Sequence, residues 1–448
     1  MEQMEKTHER MTAGNIPRLL LRLCLPSVSA ALLPPLVSVI ETLIAAGIDP
    51  NACGALGIVF PVHALIQTIG FVFGTGSGSL VANALGKKDA EKAHALAFGA
   101  LFFSSAFSIV FAVFGLIFQV PLLHLLGANA ELLPLTRPYA VCLLIAAPLL
   151  CACFVLSNLL RAEGKTVYAM AALATGNAVS VLFAVLLVLR FDLGMLGIGL
   201  SVPIGYGTAF LFLSAPYLFK CSLVSVSPFF SKKVFQSAKS AAINGLPSLF
   251  RQGLTVVAVI LLNRAAGMYG DPAVAAVAIS TRVFLFCYAI PLGIGQGMVP
   301  AIGFNHGCGN MERAKRIFAS CVTAATALLL AVAIPAAIFT ESVLQWFGHE
   351  KEVLLFGVPL LRALLVVLPL HGLIAVTNLL LQALKRPVAA SILAAARQGI
   401  FFLPLILILP RIFGFAGVWL TQPLADGFTF FLSFFYAFRF IKRKERPG

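Results

Sequence analysis

Residues 74–93 read GTGSGSLVANALGKKDAEKA, and residues 293–314 read GIGQGMVPAIGFNHGCGNMERA. Each is a run of small residues that leaves an apolar stretch and ends in a charged turn. They stand about 220 positions apart, and other pairs keep that offset. Leu25-Pro26 answers Leu246-Pro247, and Pro148 followed by Ser157-Asn158-Leu159-Leu160 answers Pro369 followed by Thr377-Asn378-Leu379-Leu380. The chain is therefore two homologous halves.

Working outward, breaks at Gly, Pro and charge clusters give apolar spans near 18–46, 54–85, 95–120, 135–160, 166–189 and 195–219. A second set falls near 236–267, 273–304, 316–347, 353–382, 388–409 and 415–440. The 448 residues are 60% hydrophobic and 11% charged, against about half and about a quarter in soluble domains. That apolar content more than fills twelve spans of roughly 20 residues. The fold class expected is all-α and polytopic, with twelve transmembrane helices in two pseudo-symmetric six-helix lobes around a central cavity. Six spans bring the chain back to one side, so the repeats are parallel. Such lobes rock about a central site to give alternating access.

The net charge of +15 does not indicate nucleic acid. Its residues cluster between spans, as in cytoplasmic loops: Lys87, Lys88 and Lys92; Arg161 and Lys165; Lys220, Lys232, Lys233 and Lys239; Arg313, Lys315 and Arg316; Lys385 and Arg386. The alternate loops hold scattered Arg137, Lys351 and Arg411. Lys6 and Arg10 at one end, and Arg439, Lys442, Arg443 and Lys444 at the other, put both termini on the cytoplasmic side. The organisation expected is an N-terminal segment 1–17, an N-lobe 18–219, a linker 220–235, a C-lobe 236–440 and a tail 441–448. The first apolar run is too long for a signal-peptide core, so no cleavage is expected. The nine cysteines, such as Cys24, Cys142, Cys287 and Cys321, read as small buried hydrophobes. No CxxC pair exists and Cys151-x-Cys153 stands alone, so neither metal nor cofactor is expected.

Gln296-Gly297-x-x-Pro300-x-x-Gly303-x-Asn305-x-Gly307 resembles the eighth-span signature of the multidrug and toxic compound extrusion (MATE) family. Arg397-Gln398, Pro404, Pro410, Gly414, Gly417-Val418-Trp419 and Pro423-x-x-Asp426 are similar to that family's last two spans in its bacterial drug-exporter branch. Leu85-Gly86 and Leu160-Arg161-Ala162-Glu163-Gly164 match in order. The resemblance covers essentially the whole chain. It implies a monomeric, multi-pass protein of the bacterial cytoplasmic (inner) membrane that exports amphiphilic, cationic small molecules, driven by H⁺ or Na⁺.

Glu41 and Asp426 are the acids placed well inside spans, where a carboxylate is expensive and usually functional. A buried carboxyl prefers its neutral form unless a cation or donors hold the anion, which suits it to carry a coupling ion. Glu41 stands where the family usually has aspartate. At the family's fifth-span Asn and Asp positions this chain has Ser180 and Ala184. A hard cation wants several oxygens, so H⁺ is favoured over Na⁺. The seventh-span glutamate of some members has no acidic counterpart between Pro247 and Asn263. Asp426 has two readings: a coupling site, or a structural pair with Arg397 or Arg282.

The candidate cavity lining is Gln67, Asn158, Asn177 and Ser180 from the N-lobe. From the C-lobe it is Arg251, Gln252, Gln296, Asn378, Arg397 and Gln398. Lone amides in membranes more commonly bond a neighbouring helix. His63 and His371 read either as proton relays or as packing residues. Pro34-Pro35 just before Glu41 predicts a kink in the first span.

A nucleotide-driven pump is excluded, because Gly86-Lys87-Lys88 lacks both the upstream Gly and the following Ser/Thr of a phosphate loop. No nucleophile–base pair or metal cluster suggests an enzyme. The alternative kept open is a lipid or oligosaccharide-lipid flippase. Arg251, Arg264, Arg282 and Arg397 outnumber the acids and suit an anionic headgroup.

Overall fold

The computed structural model describes residues 2–49, 52–129, 131–226, 231–346 and 351–442. Among them, twelve helices are long and apolar enough to cross a membrane. Spans one to six are Ile16–Ala46, Ala52–Gly86, Ala90–Ile117, Leu133–Ala162, Thr166–Leu189 and Gly194–Leu218. Spans seven to twelve are Lys232–Gly267, Asp271–Gly307, Met311–Ile338, Lys351–Ala383, Pro387–Phe413 and Phe415–Lys442.

The repeat is written into the backbone at a spacing of 221 residues. After span two, Lys88 takes a left-handed conformation (φ 59°), and after span eight Gly309 does the same (φ 84°). Gly164 (φ 79°) and Lys385 (φ 56°) form the next such pair. Asp89 caps span three by accepting from the Lys92 amide at 3.0 Å, and Asn310 caps span nine by accepting from Arg313 at 3.1 Å. Both satisfy amides that a helix start leaves without partners.

Several features differ from the sequence expectation. Spans three and nine stop at Ile117 and Ile338, where Phe118 and Phe339 leave helical geometry and short helices Gln119–Leu125 and Thr340–Gln345 follow. Span seven starts at Lys232, inside the expected linker, because the Ser231 hydroxyl caps it. The N-terminal segment contains a helix, Glu2–Thr12, whose Met11 is fully buried. Its tertiary contacts fix it. Span one runs unbroken as α-helix through Pro34 and Pro35. The expected tail with Arg443 and Lys444, and the expected end of span nine at residue 347, lie outside the described residues.

The lobes meet on the half of the molecule that carries the basic loops. Spans two and seven cross there so closely that a methyl group on Gly76 would strike the Ala241 carbonyl, and one on Gly245 the Val72 carbonyl. One apolar core on this half mixes both lobes, with Leu23, Val81 and Leu159 packed with Met298, Phe304 and Leu380. On the opposite half each lobe keeps its own core, one around Val59, Leu143 and Ile198 and one around Val277, Leu361 and Phe402. The helix Glu2–Thr12 lies across the closed face. His8 meets the Gly86 carbonyl at 3.2 Å, while Asn305 and Arg313 donate to the Met11 carbonyl at 3.0 and 3.3 Å.

Candidate functional site

Two small cavities inside the bundle are lined by polar groups. The first straddles the pseudo-twofold axis and is lined by Thr75, Ser79, Asn158, Arg161, Gln296 and Gln382 among others. Thr75 and Gln296 are equivalent positions of the two halves, as are Arg161 and Gln382, each pair 221 residues apart. Arg161 donates to Gln296 Oε1 at 2.7 Å across the lobe boundary, while its own Nε is buried without a partner. The Thr75 and Ser248 hydroxyls meet at 2.9 Å, and Asn244 donates to Ser79 Oγ at 2.5 Å. These polar bonds join the lobes just behind the closed face.

The C-lobe holds a fully enclosed charge cluster. Asp426 Oδ1 accepts from Arg397 Nε at 2.9 Å and from Gln422 Nε2 at 2.8 Å. Asp426 Oδ2 lies 3.4 Å from His371 Nε2. The other ring nitrogen, Nδ1, is 3.2 Å from the Leu368 carbonyl. Two local irregularities place these groups. Span ten tightens to a 3₁₀ turn at Leu368–Leu370, where Pro369 has no amide to donate, and delivers His371 inward. Span eleven widens to a π-turn over Ala396–Ile400, which carries Arg397; single π-turns of this kind concentrate at functional sites. The guanidinium carbon sits 4.7 Å from the Tyr288 ring centroid and 5.3 Å from that of Phe284.

His371 stands between two oxygen acceptors. A neutral imidazole carries one N–H and one lone pair, so either tautomer sets a lone pair against an oxygen. Nε2 and Asp426 Oδ2 approach to 3.4 Å without a hydrogen bond between them. Asp426 and Arg397 are the charged neighbours of the imidazole.

The second cavity opens beside this cluster and is lined by Arg251, Tyr288, Asn378, Arg397 and apolar Leu292 and Ile374 among others. Arg251 donates to Asn378 Oδ1 at 3.3 Å and to Ser248 Oγ at 3.2 Å. Asn378 is held in turn by donation to the Ala390 carbonyl at 2.7 Å.

In the N-lobe, Glu41 is partly buried and makes no hydrogen bond or ion pair with the described residues. Two buried or half-buried phenols, Tyr139 and Tyr206, lie within electrostatic reach of its carboxyl. Neither is marked by any motif in the sequence.

Of the expected lining residues, Asn158 and Gln296 reach the axial cavity, and Arg251, Asn378 and Arg397 reach the C-lobe cavity. Gln67, Asn177, Ser180, Gln252 and Gln398 line neither. Ser180 is buried against span six, its hydroxyl 3.4 Å from that of Ser201, because spans five and six touch there backbone to backbone. Gln67 bonds His63 at 3.3 Å and Asn177 donates to its own helix at Leu173, the ordinary use of a lone amide in a membrane. Gln398 is buried with its carbonyl oxygen unpartnered. Of the two arginines expected as partners for Asp426, Arg397 is the one that pairs; Arg282 is exposed. The axial role of Arg161, Thr75 and Gln382 was open to a residue-by-residue comparison of the two halves, since each has its mate at the common offset.

Glu163, one residue beyond span four, ties down the chain between the lobes. Its carboxylate accepts from the Ser222 hydroxyl and from the Leu223 and Val224 amides at 3.0 and 3.3 Å, with Lys165 at 3.5 Å. Burial pushes this carboxyl above its usual range, and the Ser222 and backbone donors pull it back.

Twelve spans in two repeated halves, closed at one face and carrying polar and titratable groups about the axis, define a multi-pass membrane transporter. The chain belongs to the MatE family, which it matches over residues 26–186 and again over 247–408, once in each half. The multidrug export protein MepA of Staphylococcus haemolyticus is 24% identical over 432 residues, covering 96% of this chain and 95% of that one. MepA of Staphylococcus aureus strain NCTC 8325 is 25% identical over 381 residues, covering 85% and 84%. A solved structure of a multidrug resistance MATE family transporter of the MOP superfamily, in an outward-facing conformation, superposes with a TM-score of 0.89. It is 21% identical, with 96% of this chain and 97% of that one covered.

Proposed function

We propose that this protein is a secondary active exporter of amphiphilic small molecules, driven by proton antiport through alternating access. Its basic face lies in the cytoplasm of a bacterial cell, and it works as a monomer. The similarity to multidrug export proteins over nearly the whole chain supports the substrate class. The observation that carries proton coupling is His371, held between the Leu368 carbonyl and Asp426 at 3.2 and 3.4 Å. A sodium ion there would have to displace Arg397, which already occupies Asp426. Glu41 supplies a second proton site in the N-lobe, where it also faces the cationic group of a substrate. Protonation weakens its hold on that group, so substrate and proton exclude one another.

The test is ethidium uptake into proteoliposomes under an imposed pH gradient or an imposed sodium gradient. The reading predicts uptake with the pH gradient in sodium-free buffer. Uptake driven by sodium alone at equal pH on both sides would overturn it.

A further inference from the structure

We infer that the C-lobe cavity is a subsite for an anionic group, a carboxylate or phosphate, carried by an amphiphilic substrate and held by Arg251. The inference rests on the transporter reading above and names a substrate chemistry for it.

Arg251 is a cation inside the bundle with no carboxylate paired to it. A guanidinium has five N–H donors. Two of the groups of Arg251 meet oxygens, both neutral, on Asn378 and Ser248. Its Nε is buried and has no partner. Arg397, the other arginine of the lining, is already paired with Asp426. Arg251 therefore leaves the cavity a positive charge without a counter-ion, and a charge partly withdrawn from water gains from an opposite partner. An arriving anion supplies that partner and finds the flat fork that suits two-point binding of carboxylate or phosphate. Leu292, Ile374 and Leu393 offer the apolar surface for the rest of such a molecule.

The site also touches the seam between the lobes. The Ser248 hydroxyl that receives Arg251 also bonds Thr75 of the N-lobe. An anion that draws Arg251 away from Ser248 loosens a bond that holds the basic face shut.

The experiment compares dansylglycine with its methyl ester, which differ by the carboxylate alone, by fluorescence titration of the full-length protein in nanodiscs. We expect the acid to bind at least tenfold tighter than the ester. Arg251→Gln should bring that ratio to one, and Arg251→Lys should keep part of it. Equal binding of acid and ester by the wild-type protein would overturn the subsite whatever the fate of the variants. So would an undiminished ratio in a folded Arg251→Gln protein. Nanodiscs of phosphatidylglycerol and of phosphatidylcholine separate the two sources of the anion. Weaker dansylglycine binding in phosphatidylglycerol assigns the site to lipid phosphate, and equal binding assigns it to a free amphiphile. Both outcomes support an anion site. Ethidium uptake by the wild type in the same preparation separates the two readings. No uptake would remove the transporter reading, whereas uptake with an acid-to-ester ratio of one would remove the subsite alone.

Discussion

His371 Nε2 and Asp426 Oδ2 face each other at 3.4 Å, both fully buried, on spans ten and twelve. Any movement of span ten against span twelve changes the separation of those two atoms. His371→Gln removes the imidazole that the proposed coupling uses. We expect pH-gradient-driven ethidium uptake to fall by at least roughly tenfold, which corresponds to a coupling of about 1.4 kcal/mol.

Asp426→Asn and Arg397→Gln each leave the other member as an uncompensated buried charge. Each should destabilise the protein by about 3–5 kcal/mol. The double variant should lose clearly less than the sum, because it leaves neither charge stranded. Thermal melting in detergent of the four proteins checks the cycle.

Lys385, on the turn between spans ten and eleven, is pulled down to about 8 by burial and then by Lys87 and Lys92. Those two belong to the other lobe, so the closed basic face sets like charges together. A base whose value drops from 10.5 opposes closure fully below about 8, and the opposition fades as pH rises from there toward 10.5. Spin labels placed across that face should report a larger closed population at pH 9.5 than at pH 7. In Lys385→Gln the dependence over this range should shrink.

The helix Glu2–Thr12 bonds to Gly86 in one lobe and to Asn305 and Arg313 in the other. Arg313→Ala should therefore weaken closure. Cys24, buried between the lobes with its thiol 3.5 Å from the Ile294 carbonyl, is a native reporter. Its rate of maleimide labelling, followed by mass spectrometry, should rise in Arg313→Ala.

Lys88 is left-handed (φ 59°) where its mate in the second half is Gly309. Left-handed backbone costs a non-glycine residue about 1–2 kcal/mol. Lys88→Gly should recover part of that in a thermal melt, and a fall in melting temperature would contradict it.

The twelve helices, the repeat and the two intramembrane acids were legible because each depends on local pattern: apolar length, turn residues and charge spacing. The pairing of His371 with Asp426 was not, since 55 residues separate them and only the packing of spans ten and twelve joins them. The halves also diverge where it matters. At the common offset, Arg397 and Asp426 fall on Gly176 and Gly205, where spans five and six close so tightly that a methyl group on either would collide with the other's carbonyl. One lobe thus holds an ion cluster at the point where the other has bare backbone contact. Ser180, beside that contact, is buried against span six. The N-terminal helix gave no signal because the groups that fix it come from distant turns.

Proton release on substrate binding tests the coupling most directly. The purified protein is mixed with tetraphenylphosphonium in weakly buffered solution, with pyranine reporting pH. The account predicts that wild type releases about one proton or more per cation bound, and that Glu41→Gln with His371→Gln releases none. Tight binding by the wild type with no proton released would contradict it.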